Sequence, residues 1–153
     1  MTYRPTVEEY AVGLALIGST RSEGLVTKVG CAILDCDGRI LSVGYNGLPK
    51  KKVAAPEWAE QRDEKRKFFI HSEINALSMI KGGESPSIIA ITHSPCASCA
   101  QAILSYPSVR RVLYYEEYGG CAAFKEILDF ACIQYEMVQT AYTKMIKTLV
   151  SGI

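Results

Sequence analysis

Apolar positions along this chain switch between two periods. Tyr10, Leu14 and Ile17 recur at helical spacing behind Pro5 and the capping box Thr6-Val7-Glu8-Glu9, which predicts a helix over Val7–Ser19. Two strand-like runs, 29–34 and 39–47, flank the turn Asp35-Cys36-Asp37-Gly38 and read as a β-hairpin. The stretch 47–70 has no clear period; Glu57, Glu60, Asp63 and Glu64 offset its lysines and arginines, as on a solvated helix face. From His71 the helical spacing returns through Ile74, Leu77 and Ile80 as far as Gly82-Gly83. Ile88-Ile89-Ala90-Ile91 reads as a short buried strand, followed by a helix over 96–105, a strand over 111–115, a helix over 120–130 and a strand over 133–137. Val138, Tyr142, Met145, Ile146 and Leu149 form a last helical stripe, suited to the core or to a subunit contact.

A helix between the last two strands suits parallel neighbours, because an antiparallel pair needs only a tight turn. The pattern therefore predicts an α/β fold: a three-layer α/β/α sandwich with a mixed five-stranded sheet, entered by a hairpin and finished by parallel crossovers. At 153 residues and 48% hydrophobic, the chain fits one domain over 1–153. There is no repeat or low-complexity segment.

With 17 basic and 16 acidic residues the net charge is +1, so no bulk field grips a long nucleic acid. No apolar run is long enough to span a membrane, and the first residues lack the basic-then-apolar order of a secretion signal; a cytoplasmic protein is expected.

Chemistry concentrates in two short pieces, His71-Ser72-Glu73 and Pro95-Cys96-Ala97-Ser98-Cys99. One imidazole and two thiolates suit Zn²⁺ and leave a fourth position for water, as in a catalytic site; a structural site needs a fourth protein ligand. Two cysteines at the start of a helix can converge on one ion, and the helix N-terminus favours their thiolate form. Glu73, outside the ligand set, can move protons at the bound water. Each piece alone has a plainer reading: a dithiol redox pair, a core or surface histidine, a solvated acid. A zinc-stabilised or redox module without turnover has no use for an unliganded acid beside its metal. Cys31, Cys36, Cys121 and Cys132 lack regular spacing and read as small structural hydrophobes. Asn46, at a strand end between Gly44 and Gly47, can aim its amide at a ligand or simply serve the turn. Lys50-Lys51-Lys52 can meet a phosphate, and Tyr114 and Tyr115 can stack on a base or act as ordinary strand aromatics.

H-x-E followed by P-C-x-x-C is the signature of the zinc deaminases of nucleobases. Together with Thr27-Lys28-Val29-Gly30, Gly44-Tyr45-Asn46-Gly47-Leu48-Pro49, His71-Ser72-Glu73-Ile74-Asn75-Ala76 and Ser94-Pro95-Cys96-Ala97-Ser98-Cys99-Ala100, it makes the chain resemble the deoxycytidylate deaminase family of the cytidine deaminase superfamily over nearly its full length. The G-Y-N-G piece and the charged insertion narrow the match, since tRNA adenosine deaminases usually have a short connection there. The parallel crossover argues against the small free-cytidine deaminases. The resemblance implies a cytidine-deaminase-like fold and hydrolysis of dCMP to dUMP and ammonia. It also implies one Zn²⁺ per subunit on His71, Cys96 and Cys99, and proton transfer by Glu73. Asn46 would hold the sugar or base, with Ser72, Lys28 and Tyr115 as further substrate contacts. Ser72 stands where the family usually has Ala, a change that keeps the backbone N–H offered to the base carbonyl. A homo-oligomer such as a hexamer, activation by dCTP, with Mg²⁺ accompanying the nucleotide, and inhibition by dTTP are further implications. The extra Cys and His of a second, structural zinc are missing. Zinc chemistry on dCTP, guanine, a riboflavin-pathway pyrimidine or tRNA adenosine is the competing enzymatic reading, and pocket shape decides between them.

Overall fold

A computed structural model of the chain describes residues 2–24, 27–53, 55–59, 61–119 and 122–153. Helix α1 (Val7–Ser19) leads into β1 (Gly30–Leu34) and β2 (Ile40–Tyr45), which pair antiparallel as the expected hairpin. A 3-10 turn (Pro56–Ala59) and the short α2 (Arg62–Arg66) follow, then α3 (Ser72–Leu77) and β3 (Ile88–His93). The chain ends with α4 (Ala97–Leu104), β4 (Arg111–Glu116), α5 (Ala123–Phe130), β5 (Gln134–Met137) and α6 (Ala141–Val150). The sheet order is β2-β1-β3-β4-β5; β3 is antiparallel to β1 and parallel to β4, and β4 is parallel to β5. The mixed five-stranded sheet and its parallel finish are as expected.

The central strand shows how the layers form. Side chains alternate across a sheet, so Ile89 and Ile91 of β3 enter one core and Ile88 and Ala90 the other. The first core is closed by Ala76 and Leu77 of α3, Ala100 and Ile103 of α4, and Phe124 and Leu128 of α5. The second is closed by Ala11, Val12, Ala15 and Leu16 of α1, with Ile146 of α6 packed against it. Apolar residues on both faces of β3 make it a continuous hydrophobic run.

The helix faces differ from those the spacing suggested. On α1, Tyr10 and Ile17 are 39% and 53% exposed, and the small side chains of Ala11 and Ala15 meet the sheet instead. Close approach explains this: a Cβ on Gly30 would collide with the carbonyl oxygen of Ala15. Helix α3 ends at Leu77, short of Gly82, and turns Ile74 outward. Among the α6 stripe, Met145 and Leu149 are exposed, while Val138 is core. Cys36 and Cys132 are also exposed, so of the four cysteines read as small hydrophobes Cys31 is the one seen buried; Cys121, and the expected helix start at 120, lie outside the described residues. No described helix is long and apolar enough to cross a membrane.

One ion pair ties α1 to the sheet. Arg111 Nη1 donates to Glu8 Oε1 at 2.7 Å, both side chains more than two-thirds buried, and this hydrogen bond holds the Glu8 carboxyl below its ordinary pKa. A carboxylate depressed by folding stabilises above its unfolded pKa, and the contribution is lost as pH falls through the folded value. Glu8→Gln is expected to lose about 1 kcal/mol at neutral pH. The deficit should close in acid, which thermal melts of parent and variant at pH 7 and pH 3 would read.

Candidate active site

Five chain segments converge on one edge of the sheet. The parallel strands β3 and β4 end there, β2 ends there, and β1, running the other way, begins there. This is where open α/β sheets take ligands, beyond the carboxyl ends of parallel strands at a change of strand direction. The charged insertion returns to the same edge through a two-bond bridge: Gly47 N–H donates to the Ile70 carbonyl at 3.1 Å and Ile70 N–H to the Gly47 carbonyl at 2.8 Å. His71 follows as the N-cap of α3.

Helix α3 is held against β2 by small groups. Ser42 Oγ donates to the Ala76 carbonyl at 2.8 Å, and Asn75 Nδ2 donates to the Tyr45 carbonyl at 2.7 Å. Gly44 faces the helix backbone, where a Cβ would come within 2.6 Å of Ala76 N and 2.8 Å of the Ser72 carbonyl oxygen. From the other side, β3 delivers Cys96 to the N-cap of α4, with Cys99 in its first turn.

The result is a cluster in which the His71, Cys96 and Cys99 ligand atoms all lie within 4.8 Å of one another. His71 Nδ1 is 3.5 Å from Cys96 Sγ and 3.3 Å from Cys99 Sγ. One nitrogen and two sulfurs are a donor set that fits zinc. Glu73 lies just outside it, buried, its Oε2 accepting from Cys99 Sγ at 3.4 Å and from Ser72 Oγ at 3.3 Å. Burial pushes the Glu73 carboxyl up in pKa, partly opposed by its backbone hydrogen bond and by His71. Burial also pushes the Cys99 thiol up, helped by the nearby Glu73 and Cys96. A cation at the cluster would favour the thiolate form, so its uptake would displace protons. Cys96→Ser is accordingly expected to purify with little or no zinc, as elemental analysis would report.

The cluster opens into a cavity of about 410 Å³ lined by Asn46, Ser72, Glu73, His93, Ser94 and Tyr118, and by Lys65, Arg66, Phe69 and Ile70 from the insertion. Asn46 is there, but most of its amide serves the chain: Oδ1 accepts from Val29 N–H at 2.9 Å and from Ser22 Oγ, and Nδ2 donates to the Thr27 carbonyl at 3.0 Å. One N–H is left for a ligand. Ser72 lines the cavity fully buried. Lys28 is exposed and does not line it, although its neighbours Thr27 and Val29 do.

Tyr115 packs with Leu113 in the core under α1, on the sheet face opposite Cys31, Ala76 and Ala100. Tyr114 is buried edge-on against Phe124 at 5.6 Å. The tyrosine at the cavity is Tyr118, just past the end of β4, its N–H donating to Ser94 Oγ at 2.8 Å and its ring edge-on to His93 at 6.0 Å. His93 is fixed between Thr92 Oγ1 at 3.0 Å and Glu116 Oε1 at 3.1 Å, and burial outweighs Glu116 in lowering its pKa. Position beyond a parallel strand end was the signal that could have singled out Tyr118. Lys50, Lys51 and Lys52 are exposed and outside the cavity lining; Lys65 and Arg66 reach it instead.

Residues 5–116 match the family model for the cytidine and deoxycytidylate deaminase zinc-binding region. A probable deoxycytidylate deaminase of Caenorhabditis elegans is 33% identical over 138 residues, covering 84% of this chain and 70% of that protein. Its counterpart in Drosophila melanogaster is 29% identical over 145 residues with the same coverage. Among solved structures, the dCMP deaminase of cyanophage S-TIM5 in complex with dCMP and dUMP superposes with a TM-score of 0.72 at 25% identity, covering 90% of this chain and all of that one. With the fold and the His/Cys/Cys donor cluster agreeing with these matches, the chain belongs to the deoxycytidylate deaminase family of the cytidine deaminase superfamily.

Proposed function

We propose that this protein hydrolyses dCMP to dUMP and ammonia as a single zinc-dependent domain. The observation that carries the reading is a buried carboxyl, Glu73, beside a cluster of three metal donors it does not belong to, at the floor of a cavity of about 410 Å³. The names of the relatives, and the nucleotides bound by the phage enzyme, support dCMP over the other bases.

His71, Cys96 and Cys99 would hold the zinc, which when bound supplies Lewis acidity that brings the ionisation of a water molecule toward neutral pH. Glu73 takes the water's first proton and delivers it to ring N3, which makes C4 electrophilic as the water oxygen adds there. Glu73 then carries the second proton to the exocyclic nitrogen. The C4–N bond breaks, the electron pair leaves with ammonia, and the carbonyl of dUMP forms. Burial suits Glu73 to this shuttle, because it keeps the carboxyl out of bulk water beside the donor cluster, where it can take a proton and return it. Ser72 offers its backbone N–H at the start of α3, and the second N–H of Asn46 would donate to the sugar or base.

An ammonia-release screen of dCMP, dCTP, deoxycytidine, CMP and guanine tests the assignment. dCMP should give the highest kcat/KM; a larger value for any other compound sinks it. Repeating the dCMP arm with dCTP and Mg²⁺ or with dTTP reads the activation and inhibition that the family resemblance implies.

A further inference from the structure

We propose that Lys65 and Arg66 form the subsite for the 5′-phosphate and set the cavity's preference for a nucleoside monophosphate. This rests on the deaminase reading of the cavity and adds the part of the substrate that the zinc cluster does not recognise.

Burial grades the cavity from floor to rim. Ser72, Glu73 and Ser94 are almost inaccessible, whereas Lys65 is half-buried and His71, Arg66 and Tyr118 are exposed. A base whose exocyclic nitrogen reaches Glu73 must therefore leave its sugar and 5′ substituent toward the rim. Two cations wait there, both from the short helix α2. The Gly47 to Ile70 bridge fixes the end of the insertion against β2, and the stacked rings of Trp58 and Phe68, 5.0 Å apart, brace it. Lys65 Nζ lies over the Phe69 ring at 4.6 Å, a cation–π contact that orients the ammonium while leaving its N–H groups for a ligand.

Charge is the second argument. Among the described residues, no carboxylate lies within ion-pair range of Lys65 or Arg66; the adjacent Glu64 pairs with Lys67 at 2.8 Å instead. The acid among the described cavity residues is Glu73, on the floor. Two cations without a described carboxylate partner make the mouth of the site electropositive, which favours an anionic substituent there. A phosphate monoester carries close to two negative charges at neutral pH, which this pair matches, and the planar guanidinium suits its oxygens. The further charge of a triphosphate has no additional described cation in the cavity lining.

Calorimetry on the zinc-loaded protein tests this without turnover, using the product pair dUMP and deoxyuridine, with dUTP as a third arm. The parent should bind dUMP more tightly than deoxyuridine, and dUTP no more tightly than dUMP. In the double variant Lys65→Ala/Arg66→Ala, the gap between dUMP and deoxyuridine should shrink on the order of 100-fold, as expected for losing two hydrogen-bonded charges. Lys65→Arg should keep most of the gap. An undiminished gap in the double variant, an equal fall for both ligands, or a dUTP affinity at least tenfold above that of dUMP would overturn the proposal. Failure of the function itself reads differently: dCMP would release no ammonia even though dUMP affinity still depended on the two cations.

Discussion

Glu73→Gln is expected to purify with its full complement of zinc and to deaminate dCMP about 10²- to 10⁴-fold more slowly than the parent. Both halves follow from the same geometry. The carboxyl sits against Cys99 yet contributes no atom to the His71, Cys96 and Cys99 cluster, so an isosteric amide leaves the donor set intact. An amide cannot accept the water's proton and pass it on, and His93, an imidazole outside the donor cluster that also lines the cavity, is already engaged with Thr92 and Glu116. Metal analysis and ammonia release on the same preparation separate the two claims. Parent-like turnover would remove Glu73 from the chemistry, and loss of zinc would make it a ligand.

The second large effect is expected at a residue with no side chain, away from the donor cluster. Gly44→Ala places a methyl group between β2 and the backbone of α3, 2.6 Å from Ala76 N, where the neighbours are main-chain atoms that cannot swing aside. Overpacking of this kind costs about 1–3 kcal/mol. The helix that must retreat begins at His71 and carries Glu73, and a misplacement of about 1 Å can cost on the order of 10²-fold in rate. Gly82→Ala is the matched control, since a Cβ there meets nothing within 4 Å. Thermal melts should show the Gly44 variant destabilised and the Gly82 variant close to the parent, with kcat falling only in the former. A Gly44→Ala protein with parent-like stability and rate would contradict the close packing of β2 on α3.

What could be read from sequence follows from how local each cause is. The zinc motif was legible because its chemistry demands particular residue types at short spacings, and His71, Cys96 and Cys99 do converge. The parallel pairing of β4 and β5 was legible because a helix-length connection between them permits few alternatives. The faces of α1 and α3 were not. Periodicity ranks large apolar residues as core, whereas here Gly30 and Gly44 let the helix backbones approach the sheet, Ala11, Val12, Ala15 and Leu16 of α1 and Ala76 and Leu77 of α3 make the buried contacts, and Tyr10, Ile17 and Ile74 turn to the outside. Substrate contacts were the least legible part. The parity of a strand decides whether Tyr114 or Tyr115 faces a given layer, and neither lines the cavity; Tyr118, Lys65 and Arg66 reach it through loop paths that no spacing encodes.

The arrangement of the three donors ties catalysis to the lifetime of the molecule. The imidazole belongs to a segment anchored on β2, and the sulfurs to one launched from β3; they meet only once β1 lies paired between those two strands. An ion captured there rivets two parts of the chain that the opened state holds apart, so free zinc at about 1,000 times its dissociation constant would deepen the native well by about 4 kcal/mol. Trace-element scarcity would thus do more than idle the enzyme: unoccupied molecules would open more often and reach proteases sooner.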